Sequence, residues 1–63
     1  MGKTYINIAD IYKRQNDFDK SIENYKKAMN IYKKNSDGNL MVEIHQIIKE
    51  IEKEKRNYEI NKI

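Results

Sequence analysis

Residues 5–28 read YINIADIYKRQNDFDKSIENYKKA, and the same apolar spacing runs through them twice. Tyr5, Ile8, Ala9, Ile11 and Tyr12 recur at intervals of three and four, with Lys3, Asn7, Asp10, Lys13 and Arg14 between them. An α-helix completes a turn in about 3.6 residues, so these intervals gather the apolar side chains on one face and the charged ones on the other. The spacing predicts a first helix over about 3–15. Ile22, Tyr25, Ala28, Met29 and Tyr32 repeat the pattern against Lys20, Glu23, Lys27, Asn30 and Lys34, predicting a second helix over about 19–34. Only Gln15-Asn16-Asp17 separates them, and a connection that short forces an antiparallel hairpin.

Beyond the hairpin, Asn35-Ser36-Asp37-Gly38-Asn39 reads as a five-residue turn, with Asp37 and Asn39 as candidate caps for a third helix starting near 39. Leu40, Met41, Ile44, Ile47, Ile48 and Ile51 form its apolar stripe. After Ile51 the run Glu52-Lys53-Glu54-Lys55-Arg56 offers little apolar surface until Tyr58, so the helix is expected to fray beyond 56. The whole of 1–63 is one small helical domain, with the hairpin at 2–35 and the last helix at 39–60. The expected core comprises Tyr5, Ile8, Ala9, Tyr12, Phe18, Ile22, Tyr25, Ala28, Met29, Ile44, Ile48 and Ile51.

Composition narrows the chemistry. A chain of 63 residues is too small to enclose a deep pocket and sustain a core, since domains of that size bury only about 60% of their unfolded surface. Catalysis is therefore not expected. Asp17, Asp19, Glu50, Glu52 and Glu54 lie in turn or polar segments, without the burial that shifts a carboxylate toward acid–base work. There is no cysteine, which removes disulfides and thiolate zinc sites, and His45 is the single histidine. No metal and no cofactor are expected. Gly2-Lys3-Thr4 lacks the upstream glycine of a phosphate loop, and Ile6 stands where an N-myristoylation signal needs Ser or Thr. No stretch reaches the roughly 18 apolar residues of a membrane span, so a soluble, cytoplasmic protein is expected.

The linked positions Tyr5-x-x-Ile8-Ala9-x-x-Tyr12 and Ser21-x-x-x-Tyr25-x-x-Ala28, joined by Asn16-Asp17-Phe18-Asp19-Lys20-Ser21, resemble one tetratricopeptide repeat over residues 2–35. That resemblance implies an all-α, helix-turn-helix hairpin of the α-α superhelix type, with the third helix as a C-terminal cap. Ala9, Ser21 and Ala28 are small where two helices must approach closely, and Asn16 takes the place of the usual turn glycine because Asn tolerates the left-handed conformation. Met41, Ile44, His45 and Ile48 fall where Tyr5, Ile8, Ala9 and Tyr12 stand in the first helix. His45 breaks the small-residue rule, which suits a helix on which no further helix docks.

Members of this family are protein-binding and peptide-binding modules, so a protein or peptide partner is implied. In longer arrays the first helices line a concave groove, which here corresponds to Lys3, Ile6, Asn7, Asp10, Lys13 and Arg14. Members that hold acidic C-terminal peptides use Lys, Asn and Arg in such places; Asp10 departs from that pattern. One repeat buries little of its own apolar face, since about three are normally needed for stability, so self-association as a homodimer is a further expectation. Tyr32, Met41 and Ile47 are the interface candidates. The richness in Ile, Lys and Asn, with the Ile-Ile-Lys-Glu-Ile-Glu helix, also resembles the C-terminal end of peptide-sensing regulators of Gram-positive bacteria. Nucleic-acid binding through Lys20, Lys27 and Lys34 is the remaining alternative. Glu23 interrupts that stripe and the net charge is only +3, which favours a solvated face.

Overall fold

The computed structural model describes residues 2–61 as three helices, α1 (Gly2–Arg14), α2 (Phe18–Lys34) and α3 (Gly38–Asn61). The helices and the antiparallel hairpin agree with the sequence. The second turn does not: residues 35–37 suffice, and α3 begins at Gly38 instead of 39.

Both turns solve the helix-end problem identically. At the end of α1 the Asp17 amide donates to the Tyr12 carbonyl at 2.9 Å and the Asn16 amide to the Lys13 carbonyl at 3.0 Å. After α2, Asp37 donates to Tyr32 at 2.9 Å and Ser36 to Lys33 at 3.1 Å. These paired bonds form a Schellman motif, which satisfies carbonyls that the helix leaves open and requires a left-handed residue at its corner. Asn16 (φ 61°) and Ser36 (φ 60°) occupy those corners. Each motif hands the chain directly to the next helix, whose first amide bonds run from Ser21 to the Asp17 carbonyl and from Met41 to the Asp37 carbonyl. The reuse of Asp37 in both roles is why five residues of turn sequence yield three residues of turn.

Serine pays more for φ > 0 than asparagine or glycine does. Ser36→Gly is therefore expected to stabilise the fold by about 0.5–1 kcal/mol, read as a higher midpoint in urea. An unchanged or lower midpoint would show that the corner is not left-handed in solution.

The hairpin closes where the sequence is smallest. Ala9, Ser21 and Ala28 are all 0% exposed, and the Ser21 hydroxyl donates to the Ala9 carbonyl across the helix pair at 2.8 Å. Phe18, Tyr25, Ile44, Ile48 and Ile51 complete a core to which all three helices contribute. Tyr5, Ile22 and Met29 pack partly buried against it. Two core expectations are corrected: Tyr12 is only half-buried and Ile8 is 36% exposed. Ile8 stands about 100° around α1 from Ala9, which turns it off the α2 contact.

The third helix, expected over 39–60, runs to Asn61. The Lys55 ammonium donates to Asp19 Oδ1 at 2.6 Å, and the rings of Phe18 and Tyr58 meet edge-on with centroids 5.7 Å apart. Both contacts tie the far half of α3 to the first turn of α2. The result is an elongated molecule, 42 × 18 × 12 Å.

Candidate functional site

Of the five groove candidates, Lys3, Asn7 and Arg14 are exposed, while Asp10 and Lys13 are half-buried. Intervals of three and four place Lys3, Asn7, Asp10 and Arg14 on one face of α1, while Lys13, one turn after Ala9, lies at its edge toward the α2 contact. The Arg14 guanidinium lies 3.1 Å from Asp10, one helical turn back. Lys3, Asn7 and Lys13 have no side-chain partner among the described residues. Ile6, grouped with them in the sequence, instead packs partly buried against the core. Lys3 also borders a shallow recess formed with Gly2, Ile31, Tyr32, Lys34 and Asn35.

Behind this face Tyr25 sits in the core, and burial pushes its hydroxyl above the ordinary phenol range, with the charge of Asp10 adding to the effect. Lys55 is held above its usual range by its hydrogen bond to Asp19 and by that carboxylate's charge. Among the described residues no group of three or more His, Cys, Asp or Glu side chains is placed to hold a metal. No helix among them is long and apolar enough to cross a membrane.

The lysine stripe of α2 turns onto its own chain. Lys20 lies 5.6 Å from the Tyr12 ring centre and 3.9 Å from Asp17, and Lys27 lies 5.8 Å from the Tyr5 ring and 3.8 Å from Glu23. Stacked over aromatic faces and paired with carboxylates, these two ammonium groups are already engaged. Lys34, the third member, borders the recess beside Lys3.

The three interface candidates separate. Tyr32 and Ile47 pack partly buried against the core. The Tyr32 ring lies over Gly2 so closely that a Cβ at residue 2 would come within 2.7 Å of it and the ring tip would have to shift. Met41 instead lines an apolar groove between α2 and α3 with Met29, Val42 and His45. The register read from the sequence, Met41 and His45 in the places of Tyr5 and Ala9, falls on this groove, and Val42, not singled out there, stands in the place of Ile6.

No curated protein and no solved structure shows a significant match to the chain. Residues 2–35, more than half of the sequence, match the family model described as "Tetratricopeptide repeat" over the helices and the turn described above, and the chain belongs to that family.

Proposed function

We propose that the chain is a protein-interaction module whose polar α1 face takes an extended acidic peptide. The family supports the class of function, and the Asp10–Arg14 ion pair at 3.1 Å supports the choice of ligand. Asp10 is the residue whose charge opposes an acidic ligand. With Arg14 beside it that charge is locally offset, and Lys3 and Asn7 remain to meet the peptide. An Asn amide donates and accepts together, which suits a peptide backbone, and Lys3 one turn away can receive a carboxylate.

The test is a calorimetric titration with a short peptide rich in Asp and Glu and ending in a free carboxylate. Lys3→Glu combined with Asn7→Ala is expected to weaken binding by about tenfold or more, a loss of about 1.4 kcal/mol. Equal affinity for the wild type and this variant would remove the α1 face as the site. Self-association is the second reading, favoured by Ile8 at 36% and Ile11 at 54% exposure on the flank of α1. Sedimentation equilibrium of the same samples decides it, and a single-chain mass at every concentration would rule it out.

A further inference from the structure

We infer that the Asp37–Gly38 bond is a self-modification site, at which the folded chain rearranges to isoaspartate and loses the hydrogen bond that opens α3. The reaction needs a side-chain carboxyl or carboxamide followed by a backbone amide nitrogen that is unbonded and unobstructed. The two turns hold four Asn or Asp residues, and the structure separates them. At Asn16–Asp17 and at Asn35–Ser36 the amide that would attack is already donating, from Asp17 to Tyr12 at 2.9 Å and from Ser36 to Lys33 at 3.1 Å. At Asp17–Phe18 the attacking residue is bulky and buried, and the Asp17 carboxylate is held by the Lys20 amide at 3.4 Å and by its ammonium at 3.9 Å. Asp37–Gly38 has none of these restraints. Gly38 is exposed, a Cβ placed on it would meet nothing within 4 Å, and its amide, the first in α3, makes no hydrogen bond among the described residues. The Asp37 carboxylate has no hydrogen-bond or ion-pair partner among them either.

The rearrangement balances with water as its only co-reactant. The Gly38 nitrogen bonds to Asp37 Cγ, and one carboxyl oxygen leaves as water with the carboxyl proton and the amide proton, which gives a cyclic imide. Water then adds to one of the imide carbonyls. Breaking the bond between nitrogen and Cγ restores aspartate, whereas breaking the bond between nitrogen and the main-chain carbon leaves the chain running through the Asp37 side chain. That second product lengthens the backbone by one atom and turns the Asp37 carbonyl into a free carboxylate. The carbonyl accepts from the Met41 amide at 3.2 Å, at the start of α3. The Asp37 amide, which closes the preceding turn on Tyr32 at 2.9 Å, lies on the other side of the altered bond. Isoaspartate at residue 37 therefore loosens the first turn of α3 and leaves the hairpin closed. The effect follows from the double duty of Asp37, whose amide ends one helix while its carbonyl begins the next.

The experiment incubates the folded chain at neutral pH and body temperature for several weeks. Isoaspartate is located by peptide mapping and counted by methyl transfer from an isoaspartate-specific methyltransferase. It is expected to accumulate at residue 37 at least about tenfold faster than at residue 17, the equivalent place in the first turn. Gly38→Ala, which adds one methyl group in open space, is expected to slow the reaction several-fold and to keep the helix content read by circular dichroism. The isoaspartate form, separated by chromatography, is expected to melt earlier and to lose amide protection over residues 41–44 while α1 and α2 keep theirs. Equal rates at residues 17 and 37, an unaffected Gly38→Ala variant, or isoaspartate that forms in urea but not in the folded chain would overturn the inference. So would an isoaspartate form whose α3 exchanges as slowly as that of the unmodified chain, because the Asp37 carbonyl would then not be what starts the helix.

Discussion

Ile51→Ala is expected to cost about 2–5 kcal/mol, the range for removing a buried branched side chain that leaves a cavity behind. Ile51 is the largest apolar side chain at 0% exposure, set where α3 crosses the core between Ile48 and the Lys55 contact with Asp19. A domain of this size rarely has more than about 3–5 kcal/mol in reserve, so the variant should be largely unfolded at room temperature. Thermal melts followed by circular dichroism read the effect, with each kcal/mol worth about 4–8 °C in a domain this small. A melting point within a few degrees of the wild type would mean that Ile51 faces solvent and that α3 does not lie on α2 along this turn.

Enlarging a small residue tests the other half of the core. Ala28→Leu is expected to destabilise by about 1–3 kcal/mol, because the added carbons have no space between helices held at the distance that Ala9, Ser21 and Ala28 permit. Forcing α1 and α2 apart also stretches the Ser21–Ala9 hydrogen bond of 2.8 Å. Denaturation in urea gives the midpoint and the slope together. A variant that melts no earlier would contradict the close approach of the hairpin helices. Ser21→Ala separates the two effects: it keeps the volume small and removes only the hydrogen bond, so its cost should stay near 1 kcal/mol.

The hairpin was legible because each of its determinants is local. Apolar spacing sets the faces of α1 and α2, Asn16 announces the left-handed corner, and Ala9, Ser21 and Ala28 mark the contact. Ser36 was harder to read, since serine seldom adopts φ > 0, and the five-residue turn was drawn around it. The contacts of the second half of α3 were hidden for a different reason. Lys55 and Tyr58 meet Asp19 and Phe18, which lie 36 and 40 residues away in sequence. Composition within a helix does not encode partners so distant.

At the candidate sites, residue type placed Lys3 and Asn7 on one face of α1, and only coordinates could pair Asp10 with Arg14. The α2–α3 groove needed both kinds of information. Internal repetition puts Met41, Val42 and His45 in register with the first helix, but the contribution of Met29 from α2 depends on how the two helices lie together.

The contacts of Lys55 with Asp19 and of Tyr58 with Phe18 require α3 to lie along α2 past Ile51, and amide hydrogen exchange followed residue by residue by NMR measures this. Protection of residues 52–58 is expected to approach that of 44–51, together with a nuclear Overhauser contact between the Phe18 and Tyr58 rings. Exchange at unstructured-chain rates from residue 52 onward, with α1 and α2 still protected, would show that α3 ends at the core.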